Sequence, residues 1–361
     1  MTANPTGNPQ GFEPVFCTIV PPHILDKAAQ AEDSAIAAKA RRSLERDGFE
    51  RTRRRLTTVI GAPSVAPPAG LEGQKPHRTI YDARHHTELP GRKVRGEGDK
   101  PGKDATVNRA YAGLGATFEL FLEKFSRHSI DGNGLPLNAT VHYSEEYNNA
   151  FWNGEQMVFG DGDGEIFLDF TIPVDVIGHE LTHGVTQYTA NLTYFGQPGA
   201  LNESMSDVFG SLIKQYTLGQ SASEADWLIG AGLLAPRVTG VALRSMKAPG
   251  TAYDDDVLGK DPQPADMDHF VKTGRDNGGV HINSGIPNHA FYILAEALGG
   301  NAWERAGQIW YDTLTGGELA QDCLFVDFAK ATVKAAKSRY NEGEEYQSVL
   351  KAWEQVGVPT Q

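Results

Sequence analysis

The residues best able to do chemistry lie in the stretch VIGHELTHGVTQY, at positions 176–188. His179 and His183 are four residues apart, so on a helix both imidazoles lie on one face and can reach a single metal ion. Glu180, next to the first histidine, could then act as a general base on a water molecule. The five-residue pattern also fits two histidines on the surface of an amphipathic helix, so alone it only suggests a metal site.

A third metal ligand is expected from a separate element, since a catalytic zinc usually takes three protein ligands and a water. The stretch GALNESMSDVFG (199–210) supplies Glu203 and, one helical turn later, Asp207. Asp207 could accept the free N–H of a metal-bound histidine. The alternative is a solvated acidic helix face. The small Ser204 and Ser206 permit close helix packing and favour the functional interpretation.

The spacing of these motifs resembles that of the thermolysin-like neutral metallopeptidases. HELTH is followed by Glu203 twenty residues after His183, within ALNESMSD. The further matching motifs, which cover about residues 140–290 in the order expected for the family, are NNAFWNG (148–154), GDGDG (160–164), LRSM (243–246) and DNGGVHINSG (276–285). Several ordered motifs are more specific than the metal-binding pattern alone.

The resemblance implies a ligand set and a reaction. Its zinc ligands are His179, His183 and Glu203, and Glu180 would take a proton from the attacking water and deliver it to the leaving amine. The resemblance thus implies a zinc-dependent endopeptidase.

The resemblance also implies oxyanion donors and a substrate-binding set. His281 and Tyr194 would stabilise the oxyanion, with Asp276 holding His281 in its working tautomer. The carbonyl of the residue after the scissile bond would be bound by Arg244, and the substrate backbone by Asn149 and the Ala150 carbonyl. Tyr194 could instead be a packing residue, and Arg244 a structural ion-pair partner.

Substrate preference follows from the positions that match the walls of the family's pocket. All four are apolar: Phe167, Val176, Ile229 and Leu243. We therefore expect cleavage on the N-terminal side of bulky hydrophobic residues, with broad selectivity. The alternative for each position is ordinary core packing.

The start of the chain resembles the short propeptide of the protealysin subgroup, which carries a Pro-Pro-x-x-Leu motif. Here that motif comprises Pro21, Pro22 and Leu25, within CTIVPPHIL. Consecutive prolines favour an extended backbone, so we expect this segment to occupy the substrate cleft backwards or askew, as an intramolecular inhibitor. The alternative is an arm that packs on the catalytic domain. Cys17 could also reach the zinc as a thiolate.

The expected organisation has four parts and an α+β, thermolysin-like, two-lobed fold with the zinc helix between the lobes. Residues 1–60 form the propeptide, and the breaker-rich residues 61–77 form a linker that contains the processing region. Residues 78–174 form an N-terminal α+β lobe with an antiparallel sheet, and residues 175–361 form a mainly helical lobe. The predicted strands are 139–143 and 165–170; the predicted helices are 31–56, 107–127, 175–190, 202–217, 285–299, 301–315, 323–339 and 343–355.

A double calcium site found in many secreted relatives is expected to be absent. Asp175 and Asp226 match acidic positions of that site, but its other positions hold Lys214, Leu228 and Ala231, which offer no carboxylate. We expect the ammonium group of Lys214 to replace the calcium charge. GDGDG is interpreted as a glycine-rich turn, with a calcium loop as the alternative.

Composition excludes several classes of function. The formal net charge of -13 argues against nucleic acid as a partner. Cys17 and Cys323, the two cysteines, cannot form a disulfide framework. The sequence contains no run of about 20 apolar residues, so it predicts no membrane span. The polar first residues lack a secretory signal, which leaves the compartment open. The remaining alternatives are an inactive binding protein of the same fold and a zinc-dependent esterase.

Overall fold

The computed structural model describes residues 17–60 and 75–360, and for residues 54–60 it describes the backbone alone. The predictions for residues 1–16, and for most of the 61–77 linker, therefore lie outside the described residues. Within them the chain has mixed α+β architecture, with the sheet in the N-terminal part and helices dominating the C-terminal part.

The N-terminal lobe is built on one mixed sheet, in which six described strands take the order β1-β5-β6-β4-β2-β3. Strands β2 and β4 and strands β4 and β6 are parallel, whereas the other pairs are antiparallel. The strands are β1 (Cys17–Thr18), β2 (Arg78–Asp82), β3 (Arg92–Gly96), β4 (Leu137–Val141), β5 (Ala150–Trp152) and β6 (Met157–Phe159). The prediction of an antiparallel sheet was thus correct only in part.

The leader, residues 17–60, contributes an edge strand to this sheet and then two helices. Cys17 pairs with Trp152 and Thr18 pairs with Phe151, in antiparallel register. The helices are α1 (Pro22–Ala28) and α2 (Ser34–Ile60). The expected extended conformation ends at Pro21, because Pro22 takes the first position of α1, where a missing N–H removes no helical hydrogen bond.

Helices are the main secondary structure in the rest of the described residues. Their apolar faces share one buried cluster with the sheet, in which Trp310 stacks on Trp353 at 5.8 Å between ring centroids. The helices are α3 (Ala105–Phe125), α4 (Val174–Gln187), α5 (Gly196–Leu218), α6 (Asp276–Asn283), α7 (Gly285–Leu298), α8 (Ala306–Thr315), α9 (Phe325–Tyr340) and α10 (Glu344–Gln355). The short strands are β7 (Leu228–Ile229), β8 (Arg244–Ser245), β9 (Asp254–Asp255) and β10 (Gly259–Lys260).

Three predicted elements were wrong in type or extent, one of them the helix predicted for 202–217, which begins at Gly196. The segment 165–170 is not a strand: Asp163 accepts hydrogen bonds from the backbone N–H groups of Glu165 and Ile166, which turns the chain, and only Phe167 forms an isolated bridge. Side-chain capping of this kind competes with a strand ladder. The helix predicted for 301–315 begins at Ala306.

Among the helices of residues 17–60 and 75–360, none is both long enough and apolar enough to cross a bilayer.

Candidate functional site

The residues predicted to bind zinc lie where helices α4 and α5 cross at close range. Gly178 and Gly210 face each other at this crossing. A Cβ at Gly178 would lie 3.2 Å from the Gly210 Cα, and a Cβ at Gly210 would lie 2.6 Å from the Asp175 carbonyl oxygen. Any larger residue would force the helices apart. The two glycines thus let Glu203, on α5, approach His179 and His183, on α4.

Both histidines are oriented by an acceptor on the neighbouring helix. The Nδ1 atom of His179 lies 2.8 Å from Oδ1 of Asp207, and Nδ1 of His183 lies 2.8 Å from Oδ1 of Asn202. Because both partners are acceptors, each ring carries its proton on Nδ1 and directs the lone pair of Nε2 inward. The two Nε2 atoms lie 3.0 Å apart.

Glu203 completes this cluster of electron-pair donors. Its Oε1 lies 3.5 Å from Nε2 of His183, and its Oε2 lies 3.5 Å from Nε2 of His179. The side chain is fully buried, and Oε2 has no hydrogen-bond partner among the described residues. Burial also lowers the pKa of His183 to about 3, which keeps the imidazole neutral, as metal binding requires. Converging lone pairs without protons between them fit a bound cation such as zinc.

Asp207 links this cluster to Arg244. Nε and Nη2 of Arg244 donate to Oδ2 and Oδ1 of Asp207, both at 2.8 Å, and Nδ2 of Asn288 donates to Oδ2 at 2.8 Å. Burial alone would raise the pKa of Asp207, but the charge of Arg244 outweighs it and holds that pKa well below the usual range. Asp207 therefore remains ionised between a metal-binding histidine and a buried arginine.

Glu180 lies on α4 beside the edge of the sheet. Its Oε2 accepts a hydrogen bond of 3.0 Å from the backbone N–H of Trp152, and the side chain is fully buried. The carboxylate is therefore held between the metal-binding helix and strand β5, the strand against which an extended peptide can pair.

His281 and Tyr194 lie together on the other side of Glu203. Nδ1 of His281 lies 2.6 Å from Oδ1 of Asp276, and its Nε2 lies 3.3 Å from the Tyr194 hydroxyl, which donates a short hydrogen bond to Glu203. Burial opposes protonation of His281, but the charges of Asp276 and Glu203 raise its pKa to about 9. Burial also raises the pKa of Tyr194 well above its usual value. Both side chains can therefore donate hydrogen bonds near neutral pH.

The leader occupies the groove between these groups. The Thr18 carbonyl oxygen lies 3.2 Å from Nε2 of His281, and the Ile19 carbonyl accepts a hydrogen bond of 3.1 Å from Nη1 of Arg244. The Ile19 N–H donates to the Ala150 carbonyl at 3.1 Å.

The next leader residue continues this pattern. The Val20 N–H donates to Oδ1 of Asn149 at 2.9 Å.

Comparison with known proteins was made against families, curated relatives and solved structures. The family model described as the thermolysin metallopeptidase catalytic domain matches residues 71–187, and the model of the thermolysin metallopeptidase alpha-helical domain matches residues 190–358. The chain belongs to the thermolysin metallopeptidase family. It is therefore a zinc metalloendopeptidase with the thermolysin-like fold, as the sequence resemblance predicted.

Two curated relatives are similar to this chain over most of its length. The chain is 50% identical to an extracellular metalloprotease of Pectobacterium carotovorum subsp. carotovorum over 346 residues, which cover 95% of this chain and 96% of the relative. It is 56% identical to protease PrtS of Photorhabdus sp. (strain Az29) over 284 residues, which cover 78% and 76%.

A solved structure matches over nearly the whole length. The precursor of protealysin from Serratia proteamaculans matches with 51% identity and a TM-score of 0.85, over 95% of this chain and 100% of that one. The chain is thus a protealysin-like member of the thermolysin family.

The residues expected to line the thermolysin-type specificity pocket are all buried. They belong to the same hydrophobic cluster as Ile19 of the leader, whose side chain is fully buried: Phe167, Val176, Ile229 and Leu243.

The motif Pro21, Pro22 and Leu25 lies immediately after the segment in the groove. Leu25 is fully buried within the core cluster, and the Pro21 carbonyl accepts a hydrogen bond from the N–H of Ile24, which starts α1. The motif therefore turns the leader out of the extended conformation rather than prolonging it.

At the expected calcium positions, Lys214 bridges two carboxylates. Its Nζ lies 3.2 Å from Oδ2 of Asp175 and 2.8 Å from both carboxylate oxygens of Asp226, and it donates to the Leu228 carbonyl at 3.1 Å. Ala231 provides no side-chain oxygen. The ammonium group lies where it can neutralise both acids.

Several contributing residues were missed by the sequence reasoning. Asn202 orients His183, Asn288 contacts Asp207, and Thr18, Ile19 and Val20 make the leader's contacts in the groove. Asn202 precedes Glu203 directly, so its place inside the matched motif was an available signal. Asn288 carried no such signal, because it meets Asp207 only through the packing of α7 on α5.

Proposed function

We propose that the enzyme cuts peptide bonds on the N-terminal side of bulky hydrophobic residues and is made as a zymogen that its own leader inhibits. The observation that carries this proposal is the set of hydrogen bonds from Ile19: its N–H donates to Ala150 and its carbonyl accepts from Arg244, while its apolar side chain is fully buried. A peptide in that position supports a hydrophobic requirement after the cut bond.

The zinc ligands and Glu180 have different roles in the proposed reaction. Zinc, when bound by His179, His183 and Glu203, supplies a Lewis acid that polarises the scissile carbonyl and lowers the pKa of the attacking water. Glu180 accepts a proton from that water and later donates it to the leaving amine. The N–H of Trp152 keeps the Glu180 carboxylate oriented towards the groove.

The developing negative charge is stabilised by preorganised donors. His281, protonated through its contact with Asp276, faces the Thr18 carbonyl, and the hydroxyl of Tyr194 lies 3.3 Å from Nε2 of His281. Donors fixed before the reaction stabilise an oxyanion without reorganisation during it. Asp276 acts by positioning, because it holds Nδ1 of His281.

The leader inhibits because it uses the groups that a substrate needs. Thr18, Ile19 and Val20 take the hydrogen bonds of His281, Arg244 and Asn149. A substrate must displace the leader before it can bind. We propose residues 1–60 as the inhibitory unit, with processing between residues 50 and 77.

The preference is tested by digestion of a peptide library with enzyme freed of its leader. We expect enrichment of Leu, Phe and Ile immediately after the cut bond. The Glu180→Gln variant, prepared in the same way, is the control and should cut nothing. A digest by the active enzyme without this enrichment would refute the preference.

A further inference from the structure

The leader lies in the groove in the direction and register of a substrate, not backwards or askew as the sequence suggested. Two independent contacts identify the same peptide bond. By the roles proposed above, His281 faces the carbonyl of the bond to be cut, and it contacts the Thr18 carbonyl. Arg244 binds the carbonyl of the residue after the cut, and it contacts the Ile19 carbonyl. Both contacts place the reacting position at the bond between Thr18 and Ile19.

Two further contacts agree with this register. The Ile19 N–H donates to the Ala150 carbonyl at 3.1 Å, and the Val20 N–H donates to Oδ1 of Asn149 at 2.9 Å. Ile19 is the bulky hydrophobic residue that the proposed pocket requires after the cut bond, and it is fully buried. The segment therefore resembles a good substrate, so some feature of the structure must prevent cleavage of its Thr18–Ile19 bond.

The side chain of Cys17 lies where it could prevent this cleavage. A ligand atom of Cys17 and ligand atoms of His183 and Glu203 all lie within 4.8 Å of one another, and all three residues are buried. The Oε2 atom of Glu203 is buried without a hydrogen-bond partner among the described residues, which independently indicates a cation at this point. A thiolate is a strong zinc ligand.

We infer that the Thr18–Ile19 bond lies in the register of a scissile bond, and that the Cys17 thiolate protects it by taking the metal position needed by the attacking water. This inference rests on the proposed function, because it uses the roles assigned to His281 and Arg244.

Removal of the thiol should turn the inhibitor into a substrate. The oxygen of a water molecule then bonds to the Thr18 carbonyl carbon and the Thr18–Ile19 C–N bond breaks. One proton of that water passes through Glu180 to the Ile19 nitrogen. The products are residues 1–18 with a new carboxylate and residues 19–361 with a new amine.

The first test uses the full chain with cobalt(II) in place of zinc, and it needs no enzyme activity. We expect a thiolate-to-cobalt charge-transfer band in the near ultraviolet for the unaltered chain. The band should vanish in Cys17→Ala and Cys17→Ser and persist in Cys323→Ala, which removes the other buried cysteine. Its absence from the unaltered chain would overturn the role of Cys17, even if the variants failed to fold.

The second test uses intact-mass spectrometry of the zinc-loaded full chains. We expect Cys17→Ala and Cys17→Ser to split between Thr18 and Ile19, while Cys323→Ala and the double variant Cys17→Ala/Glu180→Gln keep that bond. A chain that carries the cobalt band, yet whose folded Cys17 variants never cut this bond, would overturn the assigned register. If leader-free enzyme still cuts a library before hydrophobic residues, that failure leaves the proposed function intact; if it cuts nothing, the proposed function itself fails.

Discussion

At the scale of single residues, Asp207 connects the proposed zinc ligand His179 with Arg244, the proposed substrate-binding residue. One carboxylate holds Nδ1 of His179, two nitrogens of Arg244 and the amide of Asn288, all at 2.8 Å. A histidine held this way keeps its Nε2 lone pair on the metal, and an arginine held this way keeps a fixed orientation. A substitution of Asp207 should therefore weaken both zinc binding and substrate binding.

The substitution Asp207→Asn tests this connection. Loss of the charge leaves the buried Arg244 without its ionic partner, which should lower the free energy of unfolding by roughly 3–5 kcal/mol. Zinc affinity should fall by about 10–100-fold because His179 loses the negative charge of its acceptor, which makes the imidazole a stronger ligand. Thermal unfolding and competition with a chelator measure the two effects.

Asp312→Asn is the matched control. Asp312 also binds an arginine through two hydrogen bonds, from Nε and Nη2 of Arg339, but that pair is solvent-exposed. We expect a loss of less than about 1 kcal/mol and unchanged zinc affinity. Equal effects of the two substitutions would contradict the role of Asp207.

At the scale of elements, Lys214 ties together α4, α5 and the segment that begins at β7. Asp175, in the first turn of α4, is fully buried, and Asp226 lies just before β7. The ammonium group on α5 lies between the two carboxylates, where a divalent cation would otherwise be needed to offset their charge. It fixes the start of the metal-binding helix.

Replacement of Lys214 by Ala should be strongly destabilising. Asp175 would remain buried without a positive partner, at a cost of roughly 3–5 kcal/mol in the free energy of unfolding. The control is Lys334→Ala, which breaks an exposed pair with Glu318 and should cost less than about 1 kcal/mol. Chemical denaturation of both variants measures the difference, and similar values would argue against the bridging role.

Calcium dependence gives a separate test of the Lys214 bridge. Because the ammonium group already offsets the charge of Asp175 and Asp226, chelation of calcium at fixed zinc should leave the melting temperature unchanged. A large decrease would refute the proposal that the protein lacks the double calcium site.

At the scale of the whole molecule, individual helices could be predicted because their signals are local, whereas the two-lobed architecture was implied by the resemblance to a known family. The HELTH pattern and the ALNESMSD stretch specify helix, ligands and spacing within a few residues. The groove contacts of Thr18–Val20 could not be predicted, because they join residues more than a hundred positions apart in the chain. The false strand at 165–170 has a local cause: its short run of apolar residues follows an aspartate that turns the backbone.

The attachment of the leader also depends on two buried groups with opposite responses to pH. Burial raises the pKa of Asp47, on α2, to about 7, against the hydrogen bonds from Tyr147 and Asn149 and the charge of Arg51; Glu50 adds to the rise. Burial lowers the pKa of His23 to about 4, and the nearby Asp276, His281 and Arg244 modify that shift. Docking thus favours protonated Asp47 and neutral His23.

The two pKa shifts predict that leader binding changes with pH in opposite directions in two variants. The Asp47 contribution to docking is present at low pH and is lost as the pH rises from about 4 to about 7; the His23 contribution is lost as the pH falls from about 6.5 to about 4. Binding of a peptide of residues 17–60 to leader-free enzyme should therefore change little between pH 4 and 6.5. It should tighten with pH for Asp47→Asn and weaken with pH for His23→Gln, by up to about tenfold per pH unit. Parallel slopes in calorimetric titrations would contradict this account.

The leader is proposed to inhibit a zinc endopeptidase by filling its catalytic groove. The decisive measurement is the rate of peptide cleavage before and after the leader is removed from one folded preparation by limited proteolysis between residues 50 and 77. Intact mass and zinc content are measured on both samples. We expect the rate to increase at least tenfold at equal zinc content. An intact chain that cleaves as fast as the leader-free enzyme would contradict inhibition by the leader.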